Sequence, residues 1–181
     1  YVSLFALILI ALIYFQIPSE KEIKGCIKTT MFEIDLCPTS KNYVPLKRIS
    51  SHVQKAIILT EDSKFYQHDG FDSEGIEHCI EKMKEKKRFV CGGSTITQQL
   101  AKNMFLSKNK NLVRKGLEAL ITVKIEKTLT KKEILEKYLN VVQFGKNIYG
   151  IKQASQFYFK KSPHNLDVVE SAFLAMVLPN P

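Results

Sequence analysis

The sequence is short of the features that mark several classes of protein. It has only four cysteines (Cys26, Cys37, Cys79, Cys91), with no C-x-x-C pair and no Cys/His cluster at zinc spacing. A metal framework is therefore not indicated. The cysteines either pair, as they would outside the cytoplasm, or stay as buried thiols; thiols are the favoured reading, because the chain is long enough to bury a core without covalent staples. Eight glycines and six prolines in 181 residues exclude collagen-like and Pro-rich chains. No internal repeat or low-complexity segment appears, and strand signals are too few for a sheet-based fold.

Charge is missing from one place in particular. Residues 1–17 (YVSLFALILIALIYFQI) contain no charged side chain. At a helical rise of about 1.5 Å such a stretch spans roughly 26 Å, a little under a hydrocarbon core of about 30 Å. Phe15-Gln16-Ile17-Pro18 lacks the small residues of a cleavage site. Residues 1–17 are read as a single transmembrane anchor, with Tyr1 and Tyr14-Phe15 at interface positions. The whole formal charge of +9 then lies beyond it. A basic domain tethered to a bilayer points to lipid phosphate, not to nucleic acid.

What remains is mostly helical in pattern. Residues 18–42 read as a linker and lead-in segment with one short strand, Met31 to Leu36. Ser51 with Gln54 reads as a capping box for a helix ending near Asp69-Gly70. Further helices are expected from Asp72 or Ser73 to Lys87, after Thr95, over Leu112 to Thr128, from Thr130 toward Gly145, over Tyr149 to Phe159, and over Asp167 to Leu178. The fold class is mainly α, with one domain over residues 43–181.

Three segments are harder to explain as packing. Glu61 follows the apolar run Ala56-Ile57-Ile58-Leu59, a setting that disfavours the charged carboxylate and suits a general acid or base; an ordinary surface glutamate fits as well. Next, Gly92-Gly93 precede a helix start bearing Ser94, Thr97, Gln98 and Gln99. That arrangement suits a polyhydroxylated or anionic ligand, or a plain capped turn. Gln98 and Lys102 share one helix face. Third, Lys102 to Lys115 carries Lys102, Lys108, Lys110, Arg114 and Lys115 and no acidic residue. A pyrophosphate needs such a cluster, and a solvated basic face would also look like this. Arg114 and Glu118 stand at i, i+4, so an ion pair is expected.

Taken in order, Glu61-Asp62…Phe65…His68…Gly70, Gly92-Gly93-Ser94-Thr95-Ile96-Thr97-Gln98-Gln99…Lys102-Asn103, Arg114-Lys115…Glu118 and Glu133-Ile134-Leu135…Tyr138-Leu139-Asn140 resemble the motifs of the family 51 glycosyltransferases. These are the peptidoglycan transglycosylases. The resemblance runs from about Tyr43 to Pro181. A lone anchor before such a domain resembles the monofunctional branch; the domain also resembles that of bifunctional penicillin-binding proteins.

The resemblance implies a lysozyme-like helical fold and polymerisation of lipid II into β-1,4 glycan with release of undecaprenyl pyrophosphate. It makes Glu61 the general base, with Glu118 as the second essential glutamate. Lys102, Lys110 and Arg114 would hold the pyrophosphate, with Ser94, Gln98 and Lys115 close by. Lys110 stands where the family more often has Arg. A divalent cation, magnesium or manganese, is compatible with the pyrophosphate, and no metal ligands are assigned. Partners implied are lipid II, the growing glycan strand, membrane lipid and other cell-wall synthesis proteins. The implied location is the bacterial inner membrane, single-pass, with the domain on its outer face. Two alternatives stay open: a lysozyme-like hydrolase, and a silent membrane-anchored scaffold that binds glycan or lipid II.

Overall fold

The computed structural model of the protein describes residues 15–29, 34–86, 93–107 and 111–178. No helix among these residues is long and apolar enough to cross a membrane. The expected anchor at residues 1–17 lies almost entirely outside them.

Eight α-helices and two small hairpins make up the described chain. Helix α1 (Glu20–Lys24) opens on a capping box between Ser19 and Glu22. Strands β1 (Ile27–Lys28) and β2 (Asp35–Leu36) pair antiparallel, with Ile27 opposite Leu36. Among the described residues of the expected strand, Asp35 and Leu36 pair in β2; Met31, Phe32 and Glu33 lie outside the described residues. Residues 18–42 join the main core through Ile23, Ile27 and Leu36, all under one-tenth exposed. Buried Lys137 fastens this segment by donating to the Gly25 carbonyl at 2.7 Å.

Cys26 and Cys37 form a disulfide across the mouth of the first hairpin. Cys79 is disulfide-bonded as well. The expectation of thiols is corrected. A core sufficient in size does not stop two half-exposed cysteines at the ends of a paired hairpin from being brought together.

Helix α2 (Ser51–Glu61) is capped by Ser50, one residue before the expected cap. Ser50 accepts the His52 N–H, while its hydroxyl donates to the Leu166 carbonyl at 2.8 Å. Gln54 forms no capping box and donates instead to the Leu46 and Ile49 carbonyls. The helix also ends earlier than expected, at Glu61. The reason is tertiary: the Asp62 carboxylate accepts the Ile96 N–H at 2.9 Å and faces His68 Nε2 at 2.8 Å. These bonds pull the chain out of the helix into a turn that buries Phe65.

Helix α3 (Ser73–Lys86) has no buried residue. Helices α4 (Ile96–Phe105), α5 (Leu112–Thr128) and α6 (Lys131–Val141) form the centre, with α4 packed against both others. Ile96, Leu100, Ile121, Ile125, Ile134 and Tyr138 are fully buried there. Helix α6 stops at Val141, short of Gly145, because β3 (Gln143–Gly145) pairs with β4 (Ile148–Tyr149). Gly150 then takes φ +74°, where a Cβ would lie 2.3 Å from the Asn140 carbonyl oxygen. Helix α7 (Gly150–Phe159) packs on α6, and α8 (Val168–Val177) lies along α2.

Candidate active site

Glu61 is the last residue of α2, and Thr95 caps α4 opposite it. The Thr95 hydroxyl accepts the Gln98 N–H and donates to the Gly70 carbonyl at 2.7 Å. Gly70 has φ +98°, and a Cβ there would come within 2.8 Å of Thr122 Cγ2. A glycine at this point lets the turn lie flat against α5. Asp62 and His68 complete the bracket. The Gly70 N–H donates to His68 Nδ1 at 3.1 Å, so Nε2 carries the proton given to Asp62. His68 is thus a structural residue of the turn after the helix.

The apolar run before Glu61 does not wall it in. Ile57 turns into the core, Leu59 is exposed, and the pocket around Glu61 is lined largely by polar groups. That pocket is a cavity of about 150 Å³ bordered by Asp62, Asp72, Gly93, Ser94 and Thr95. Glu61 Oε2 accepts a hydrogen bond from Gln99 Nε2 at 2.7 Å. Gln99 Oε1 in turn accepts from the buried Tyr138 hydroxyl at 3.0 Å.

Ser94 is shared with a larger cleft of about 480 Å³, lined also by Gln98, Gln99, Lys102, Arg114 and Glu118. The expected ion pair is present: Arg114 donates to Glu118 Oε2 at 3.0 Å. Lys115 bonds Glu118 Oε1, and its ammonium also reaches Ser94 Oγ at 3.2 Å. Glu118 is buried, so both of its oxygens are committed to cations. Arg114 Nε is buried and has no hydrogen-bond partner among the described residues. Burial pulls the Lys102 ammonium below its ordinary pKa of 10.5, opposed by Glu118 and Glu61 and aided by Arg114 and Lys115.

The structure therefore brings Glu61, Ser94, Gln98, Lys102, Arg114, Lys115 and Glu118 to two adjoining cavities. Lys110 lies outside the described residues. Gln98 is only partly available, since its side-chain oxygen accepts the Thr95 N–H at 3.0 Å. Thr97 is withdrawn from the ligand-facing set: it is fully buried and donates to Glu126. Among the described residues no three His, Cys, Asp or Glu side chains gather to hold a metal ion. Sequence reasoning missed Tyr138, which reads as a core aromatic. It also named Gln99 without placing it beside Glu61. The signals for Gln99 were the polar run after the glycine pair and its place in the motif that resembles the family.

The chain matches the transglycosylase family over residues 28–181. It is similar to the biosynthetic peptidoglycan transglycosylase of Aromatoleum aromaticum, 52% identical over 139 residues, covering 77% of this chain and 60% of the relative. The protein of that name from Thiobacillus denitrificans is 48% identical over 139 residues, with the same coverages. The one from Acinetobacter baylyi is 45% identical over 161 residues, covering 86% of this chain and 72% of the relative. The chain spans about 60% of the length of the first two.

Proposed function

The chain belongs to the transglycosylase family, and on that premise we propose that it is a peptidoglycan glycosyltransferase that polymerises lipid II. The observation that carries this reading is the pairing of two unlike cavities across Ser94. One holds a half-exposed carboxylate, Glu61; the other holds Lys102, Arg114 and Lys115 around a saturated carboxylate, Glu118.

Glu61 takes the proton of the 4-hydroxyl of the acceptor GlcNAc as that oxygen attacks C1 of the donor MurNAc. The attack inverts C1 from α to β and breaks its bond to the pyrophosphate. A sugar hydroxyl is a poor nucleophile until a base receives its proton, a contribution of about 10²- to 10⁴-fold. Negative charge gathers on the departing undecaprenyl pyrophosphate. The fixed cations meet that charge more fully in the transition state than in the ground state. Arg114 Nε is a donor without a protein acceptor among the described residues, which suits an oxygen of this leaving group. Glu118 acts on Arg114 and Lys115, holding both in place. The resemblance adds Lys110 to the residues proposed to meet the pyrophosphate.

The fold is taken as lysozyme-like, with the catalytic domain at residues 43–181 and the membrane anchor at residues 1–17. The Cys26–Cys37 bridge supports a domain outside the cytoplasm, where disulfides persist. An anchor there concentrates the enzyme with its lipid-bound substrate on the outer face of the membrane.

The test is polymerisation of labelled lipid II by the detergent-solubilised protein, beside Glu61→Gln. Glycan ladders that lysozyme digests, present for the parent and absent for the variant, are the expected result. A hydrolase would instead shorten added glycan, and a scaffold would bind lipid II without product. Either outcome from folded parent protein overturns the transferase reading.

A further inference from the structure

Tyr138 and Gln99 form a chain of two hydrogen bonds that ends on Glu61. Its polarity is fixed. A carboxylate oxygen has no proton to give, so the atom 2.7 Å from Glu61 Oε2 must be the amide nitrogen of Gln99. That orientation turns the amide oxygen toward Tyr138, and the phenol must donate to it. Tyr138 is fully buried, and burial together with the Glu61 and Asp62 charges holds its hydroxyl protonated well above the ordinary range. The phenol therefore remains a donor at any working pH.

We infer that Tyr138 is a positioning residue that acts through Gln99 to reserve Glu61 Oε1 for the proton of the acceptor hydroxyl. This rests on the reading of Glu61 as the base. Oε1 carries no hydrogen bond among the described residues, while Oε2 is held by the amide. In the step, the acceptor O–H bond breaks as the new O–C1 bond forms. The C1–O bond to pyrophosphate breaks with its electron pair, and the proton ends on Oε1.

With the proton there, Oε2 becomes a carbonyl oxygen and still accepts from Gln99. The chain survives the reaction without rearrangement. A proton on Oε2 would set an O–H against the Gln99 N–H and break the chain. One oxygen is thus favoured both before and after transfer, and little reorganisation accompanies the step. The neighbouring carboxylate is kept out of the chemistry, because Asp62 is pinned by the Ile96 N–H and by His68.

The test measures initial rates of lipid II polymerisation by the full chain and three variants, each checked for cooperative thermal unfolding. Tyr138→Phe keeps the buried ring and removes only the donor. It is expected to lower kcat about two- to ten-fold, the range for a hydrogen bond between neutral groups, with KM for lipid II unchanged. Gln99→Met, which removes the bond to the charged carboxylate, should lower kcat about ten- to a hundred-fold. In the double variant Tyr138→Phe should add no further loss, because the chain is already cut.

Additive losses, an unaltered kcat in Tyr138→Phe, or a raised KM with kcat kept would each overturn the inference. If Tyr138→Phe does not fold, Gln99→Met alone decides: kcat lost at constant KM supports the chain, and kcat retained removes it. Failure of the underlying reading looks different, since Glu61→Gln would then match the parent. Parent-like Tyr138→Phe beside a dead Glu61→Gln would sink this inference alone.

Discussion

Glu61 and Glu118 border neighbouring cavities, and their surroundings are opposites. Glu61 is half-exposed and meets a neutral amide on one oxygen. Glu118 is buried and meets a guanidinium on one oxygen and an ammonium on the other. A buried carboxylate with both oxygens bound to cations has no vacant position from which to take a proton. It is a fixed counter-charge that spaces Arg114 and Lys115. The half-bonded carboxylate retains an oxygen with no hydrogen bond among the described residues. Residue type does not separate a base from a counter-charge; the number of committed oxygens does.

The most severe way to break this contrast is Glu61→Gln. It removes the proton acceptor while the side-chain oxygen can still accept from Gln99. Polymerisation is expected to fall by about 10²- to 10⁴-fold with thermal unfolding little changed. Residual activity near the parent's would mean that the two glutamates had been assigned the wrong way round.

Glu118→Gln should do the reverse, with the main loss in stability and substrate affinity. Removing one member of a buried ion pair leaves the partners' charge uncompensated. A cost of about 3 kcal/mol is expected, at the low end of the range because Lys115 is half-exposed. Denaturant unfolding and the KM for lipid II measure both effects. Parent-like stability would show that Arg114 and Lys115 are solvated without it.

A control in the first hairpin, which lines neither cavity, sharpens the comparison. Cys26→Ser with Cys37→Ser opens a loop with a sequence separation of 11, which should cost about 2 to 3 kcal/mol. The melting temperature is expected to drop while kcat at permissive temperature is kept. A lost kcat would tie the first hairpin to the site.

The smallest effect is one of pH. Lys102 has its pKa lowered from 10.5, chiefly by burial, so it loses its charge earlier than an ordinary lysine as pH rises. Binding of the pyrophosphate should weaken through that lowered value. Folding stability moves the other way. Between the lowered folded pKa and 10.5 the unfolded chain binds more protons, so stability rises with pH across this window. Lys102→Arg should keep binding at alkaline pH, seen as a KM that no longer climbs. An unchanged alkaline limb would remove Lys102 from the cleft's charge balance.

The hydrophobic periodicity and the caps made most of the helices legible. Leu112–Thr128 was expected and found, as were the helix starts at Thr95 and Thr130, each of which is a capping box. These are local: spacing and a side chain three residues away settle them. The Arg114–Glu118 pair was legible for the same reason. The early end of α2 was not, because Asp62 is drawn out by a backbone N–H 34 residues away. The Cys26–Cys37 bridge was missed for a similar cause, since the antiparallel register of the hairpin brings its ends together.

By itself the sequence determined a basic, mainly helical chain and supplied the residues of the proposed base and the proposed anion cradle. Only the tertiary structure decided which carboxylate keeps an open oxygen. It did so by setting Gln99, 38 residues away in sequence, against Glu61, and Tyr138, 39 residues further on, behind it. Helical spacing reaches one turn along a helix. The bonds behind the role proposed for Glu61 cross three helices, and their directions follow from how those helices pack.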